Sequence, residues 1–147
     1  MLDNHINGRF VLLKEDAKTP SRFHKGDAGY DMFAYEPVTV KPHSVEYVPT
    51  GIGVELPEGF SVEIRTRSSN PKRGFYVVTG TVDNGYKGEI KIMCYNFTCS
   101  DVEISKGDKI AQLIFQPLFV LGLEPFTNPE YCLPERGNKG FGSTGTK

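Results

Sequence analysis

Five stretches of this chain carry polar side chains and glycines that a hydrophobic core does not need. They are Ala28-Gly29-Tyr30-Asp31, Arg65-Thr66-Arg67-Ser68-Ser69, residues 80–88, residues 107–113, and the run RGNKGFGSTG over residues 136–145. In the second stretch a guanidinium and a hydroxyl follow a strand-like run, where a helical turn would begin. Free backbone N–H groups, Arg67 and Ser68 can together cradle a phosphate; the competing reading is a surface charge cluster with Ser68 as a helix cap. In the third, Val82 and Tyr86 flank an Asp-Asn-Gly turn, the signature of a β-hairpin. Asp83 there is a general base or water-orienting carboxylate, or else it only caps the turn. In the fourth, the amide of Gln112 interrupts an apolar strand, so it needs partners in the core or on a ligand. The fifth mixes Arg136, Lys139, Ser143 and Thr144 with glycines that let backbone N–H groups approach an anion. It lacks the Gly-Lys-Ser/Thr order of a P-loop, and alone it also reads as a disordered tail.

The elements that must position these groups read as short strands. Residues 61–67 alternate, with Val62 and Ile64 on one side and Glu63 and Arg65 on the other. Residues 45–48, 75–78, 89–95 and 102–104 look alike, and 110–119 is a longer, buried run. Pro, Gly, Asn and Asp punctuate the intervals, and only residues 68–73 suggest a helical turn. Regular short strands in a chain of 147 residues predict one all-β domain, a sandwich, barrel or jelly roll. Its β body spans about 1–135, and residues 136–147 form a flexible C-terminal arm.

Composition narrows the classes further. The formal net charge is -1, so no global field draws the chain to nucleic acid or to a membrane surface. No run approaches the ~20 apolar residues of a membrane span, and no apolar signal segment opens the sequence. The three cysteines, Cys94, Cys99 and Cys132, include no CxxC pair and are read as reduced thiols of a cytosol-like compartment: cytoplasmic, or nuclear or host-cytosolic for a viral chain. The sequon Asn96-Phe97-Thr98 is read as a coincidence.

In this order and with these gaps, the five stretches resemble the five motifs of the trimeric deoxyuridine triphosphatases (dUTPases), over about residues 28–145. The Gly-x-Val-Asp-x-x-Tyr-x-Gly of residues 80–88 and the Arg-Gly-x-x-Gly-Phe-Gly-Ser-Thr-Gly of 136–145 carry most of the likeness. The resemblance implies a distorted β jelly roll with little helix. It also implies a homotrimer whose sites are shared between subunits, and Mg²⁺-dependent hydrolysis of dUTP to dUMP and pyrophosphate. That reaction limits uracil incorporation into DNA and supplies dUMP for dTMP synthesis. By the same resemblance Asp83 orients and deprotonates the water attacking the α-phosphorus, and Tyr86 packs under the deoxyribose. The backbone from Gly80 through Val82 to Tyr86 reads uracil. Asp31 holds Mg²⁺ through water, with the metal clamped mainly by the substrate's phosphates. Arg67, Ser68, Ser69 and Gln112 serve the phosphates. In the arm, Arg136, Ser143 and Thr144 hold the γ-phosphate, Phe141 stacks on uracil and Gly142 lies among the substrate contacts.

The chain departs from the family pattern in its second motif, usually Pro-Arg-Ser-Gly. Here Thr66 and Ser69 replace the proline and the glycine, which puts the loop geometry in question. Val77 and Thr79 stand where some members place an asparagine facing uracil. A dCTP deaminase shares the fold and an Arg-Ser-Ser stretch, but its catalytic glutamate falls at about Met93, which cannot take a proton. A non-catalytic regulatory protein of this fold is opposed by the retention of Asp83, Tyr86, Arg136 and Phe141.

Overall fold

The computed structural model of the chain describes residues 7–128. Runs of β-branched and aromatic residues, cut by Pro, Gly, Asn and Asp, keep its strands short. They are β1 (Arg9–Leu12), β2 (Tyr30–Phe33), β3 (Val38–Val40), β4 (Val45–Val48), β5 (Ile52–Glu55), β6 (Phe60–Arg65), β7 (Phe75–Val77), β8 (Gly80–Val82), β9 (Ile92–Asn96), β10 (Val102–Ile104) and β11 (Lys109–Pro117). All strand pairs are antiparallel. They form four small sheets, β1-β5, β3-β10, β2-β11-β6-β8 and β4-β9-β7. These close around one core in which Met32, Ile52, Phe75, Ile92, Ile110 and Leu113 are fully buried. The result is the expected distorted jelly roll. The only helix among the described residues is a single 3₁₀ turn, Asn70–Arg73, and no helix there is long and apolar enough to cross a membrane.

Strand β6 follows its alternation: Val62 and Ile64 are buried, while Glu63 and Arg65 pair on the outer face at 2.9 Å. The sequence reading passes over β1, β2, β3 and β5, strands of three or four residues, and places β8 only as one arm of the Asp83 hairpin. The hairpin expected around Asp83 does not form as a paired ladder. A turn is present, with the Tyr86 N–H donating to the Asp83 carbonyl (3.2 Å), but β8 pairs with β6. The returning chain is drawn to β5 instead, where the Ile90 N–H donates to the Ile52 carbonyl (2.8 Å). The loop itself is tethered by the Asn84 amide, which donates to the carbonyls of Pro57 (2.7 Å) and Phe60 (3.0 Å).

Strand β11 contains an irregularity that the linear pattern hides. Against β2 its partners run Lys109 to Phe33 and then Ala111 to Met32, so Ile110 is an extra, bulged residue. A bulge bends the strand and re-aims its side chains. Beyond Pro117 the chain leaves the sheets. Phe119 is 84% exposed, Val120 94% and Phe126 86%. The arm expected over residues 136–147 lies outside the described residues.

Candidate active site

The loop after β6 is held from behind by two side chains. The Thr66 hydroxyl oxygen accepts from the Val77 N–H (3.2 Å) and from the Asn70 amide (3.2 Å). The same Asn70 amide, fully buried, donates to the Ile110 carbonyl (2.8 Å). Arg67, Ser68 and Ser69 are thus presented from a loop pinned to β7 and β11. Ser69, not Ser68, is the N-cap of the 3₁₀ turn, and it makes no side-chain capping bond. Its φ of -83° is ordinary right-handed backbone, so a serine stands where the family has glycine without conformational cost.

This loop faces β2 and β11 across a cleft of about 450 Å³ that Asp31, Arg67, Ser68, Lys109 and Gln112 line together. Asp31 and Gln112 are direct partners across the β2–β11 ladder. One Asp31 oxygen accepts from Arg67 Nε (2.9 Å), and the other lies 3.0 Å from the Lys109 ammonium. A second nitrogen of Arg67 donates to the Ser69 hydroxyl (3.1 Å). Gln112 donates to the Thr66 carbonyl (3.0 Å), so its amide is satisfied at the cleft wall and not in the core. A methyl group added at Gly29 would lie 2.5 Å from the Gln112 amide oxygen. Glycine there is what lets the first and fourth stretches pack together.

Asp83 and Tyr86 line a different cleft of about 230 Å³, with Thr81, Val82, Glu89 and Lys91. Asp83 is exposed to solvent, whereas Val82 is buried. The Tyr86 ring folds back over Gly88, where any Cβ would collide with it, and its hydroxyl donates to the Glu89 carbonyl (3.1 Å). Glu89 is a residue that the sequence reading missed. Burial works against its charge. The Gly51 N–H (2.8 Å), the Lys14 ammonium (3.3 Å) and the Thr50 N–H (3.1 Å) outweigh that and hold its carboxyl below the ordinary range.

The sheet sets how far apart the two clefts lie. Val82 is opposite Val62, which places Asp83 next to Ser61, at the start of β6. Arg67 follows its other end, six residues on (67 minus 61). At about 3.3 Å per residue, roughly 20 Å separates them. The structure therefore unites Asp31, Arg67, Ser68 and Gln112, and separately Val82, Asp83 and Tyr86, but not the two groups within one chain. Gly80 lies on β8 opposite Ile64. Arg136, Phe141, Gly142, Ser143 and Thr144 lie outside the described residues.

The donor set of the first cleft bears on a metal. Among the described residues no three His, Cys, Asp or Glu side chains form a ligating group. Besides Asp31 the cleft contains one more carboxylate, Asp27, which accepts from the His24 N–H (2.8 Å). One available carboxylate beside two cations fits a hard cation that arrives with an anion supplying most of its oxygens. It does not fit a metal caged by protein alone.

Comparison with known proteins gives a consistent picture. A family model described as dUTPase matches residues 15–145. A deoxyuridine 5'-triphosphate nucleotidohydrolase of Clostridioides difficile is 39% identical over 142 residues, covering 95% of this chain and 98% of the relative. One from Clostridium tetani is 41% identical over 140 residues, 93% of this chain and 95% of the relative. Among solved structures, the dUTPase of Staphylococcus bacteriophage 80alpha with dUpNHpp superposes with a TM-score of 0.84 at 30% identity, covering 95% of this chain and 99% of that one. An Asp-to-Asn mutant of the dUTPase from phage phi11 of S. aureus, described with a structural Mg(II) ion, gives 0.78 at 28%, covering 85% and 99%.

Proposed function

Because this chain belongs to the dUTPase family, we propose that it hydrolyses dUTP to dUMP and pyrophosphate, at sites that a homotrimer shares between its subunits. One observation carries the sharing. The chain holds an acid–base cleft around Asp83 and a cationic cleft around Arg67, and β6 keeps them about 20 Å apart. A second copy can place its cationic cleft against the Asp83 cleft of the first, which one chain cannot do for itself.

In this reading Asp83 accepts a proton from a water molecule as the water oxygen bonds to the α-phosphorus. The bond from that phosphorus to the α–β bridging oxygen breaks, and pyrophosphate leaves in line. Arg67, Ser68, Ser69 and Gln112 hold the phosphates. The preset Arg67–Asp31 contact fixes the guanidinium before the ligand arrives, so little reorganisation is left for the reaction itself. Asp31 would hold Mg²⁺ through bound water, and the ion, when bound, neutralises triphosphate charge. Tyr86, flattened over Gly88, offers its ring face to the deoxyribose. The backbone from Gly80 through Val82 reads uracil. Arg136, Phe141, Gly142, Ser143 and Thr144 would close over the nucleotide from the arm. The product dUMP feeds dTMP synthesis, and removal of dUTP keeps uracil out of DNA.

The test is direct. Purified protein with dUTP and Mg²⁺ should release pyrophosphate, while dCTP should yield no ammonia. Absence of pyrophosphate from dUTP would overturn the reading.

A further inference from the structure

We propose that Lys109 is a triphosphate-binding residue, and that it exchanges its ion pair with Asp31 for a phosphate oxygen when the ligand binds. The proposal rests on the dUTPase reading and adds to it a residue outside the set named above.

Regular alternation would put Lys109 and Gln112, three positions apart, on opposite faces of β11. The bulge at Ile110 restores them to one face, and both line the cleft beside Asp31 and Arg67. Two cations meet a single carboxylate there, Arg67 at 2.9 Å and Lys109 at 3.0 Å. Asp27 also lines the cleft, so its two carboxylates balance the two cations overall. The cations are nevertheless gathered at Asp31 beside the Ser68 hydroxyl, where a polyanion can meet both of them at once. The two cations are not equally fixed. Arg67 is held at two nitrogens, by Asp31 and by Ser69, and its side chain is 26% exposed. Among the described residues Lys109 has Asp31 as its one ion-pair partner, and its side chain is 41% exposed on a flexible stem. When a triphosphate enters, the ammonium can swing from the carboxylate to a phosphate oxygen. That exchange frees one Asp31 oxygen for the water shell of a cation brought by the ligand. A lysine that served only to anchor Asp31 would contribute to the placing of β2 and have no preference for phosphate number.

The experiment measures binding of dUMP and of the non-hydrolysable dUpNHpp, each with Mg²⁺, to the full chain and to Lys109→Met and Lys109→Arg. In Lys109→Met, dUpNHpp affinity should fall about tenfold and lose part of its salt dependence, as for removal of one charge-assisted contact. Its dUMP affinity should stay within about twofold, and Lys109→Arg should recover most of the dUpNHpp affinity. Equal losses for both nucleotides, or no loss for either, would overturn the proposal while the dUTPase reading stands on the wild-type protein's hydrolysis. A wild-type protein that binds neither nucleotide overturns both. Should Lys109→Met fail to melt cooperatively, Lys109→Gln replaces it in the same comparison.

Discussion

Asp83 is exposed at a turn, with no ion pair among the described residues to restrain its carboxylate. As the proposed base it should be dispensable for binding and needed for turnover. Asp83→Asn should lower kcat by about 10²–10⁴-fold, while dUpNHpp affinity changes by no more than a few-fold. Normal hydrolysis by this variant would reassign the base. Glu89 makes a different prediction, about stability. Its folded carboxyl titrates below the ordinary value of 4.5, so the stability it contributes is fully present above that pH and is lost as pH falls from there through the folded value. Melting temperatures of wild type and Glu89→Gln, followed from pH 7 to pH 3, should therefore converge in acid. Parallel curves would mean that the charge does not matter. Cys94 is fully buried, and burial pushes its thiol up to about 12. In the folded protein it should resist a thiol reagent that modifies the exposed Cys99.

At the scale of elements, Gly29 and Gly88 let the side chains of Gln112 and Tyr86 approach the backbone closely. Gly88→Ala would drive a methyl group into the Tyr86 ring and expel it from its place over the turn. Activity should fall by more than tenfold with little change in melting temperature, because residues 86–88 are surface chain. A variant as active as wild type would show that Tyr86 needs no such support. The elements also show what the sequence could and could not disclose. The alternation of β6 was plain, since Val62 and Ile64 face the core as the pattern requires. Lys109 was hidden because a period of two cannot register the bulge at Ile110, which depends on pairing with β2. The Asp-Asn-Gly turn was legible, but its partner was not. Turn chemistry is local, whereas pairing of β8 with β6 is decided by burial of Val82 and Val62 against the core. Likewise the separation of 16 positions from Arg67 to Asp83 (83 minus 67) says nothing of distance until β6 and β8 are seen side by side.

For the whole molecule, the unresolved demand is for a partner. The sheet β4-β9-β7 turns Val45, Tyr47, Tyr76 and Tyr95 outward in adjacent registers, with the Tyr76 and Tyr95 rings 5.2 Å apart. Tyr47 is 57% exposed, and the segment after β11 leaves Phe119, Val120, Leu121, Leu123 and Phe126 mostly in solvent. Apolar surface on this scale is unusual for a monomer and ordinary for a subunit. Light scattering of the wild type should give the mass of a trimer. Deletion of residues 136–147 should leave a folded trimer that has lost most of its activity, and a truncated chain that fails to fold would make the arm structural.

The claim on which the account turns is that Asp83 and Arg67 act together only from different copies. Asp83→Asn and Arg67→Ala chains, each inactive alone, can be unfolded, mixed in equal amounts and refolded together. Random assembly then gives about a quarter of the sites an intact Asp83 from one chain and an intact Arg67 from another. Pyrophosphate release should return to about a quarter of the wild-type rate. A mixture proved by mass spectrometry to contain hybrid trimers, yet as inactive as its parents, would contradict the shared site.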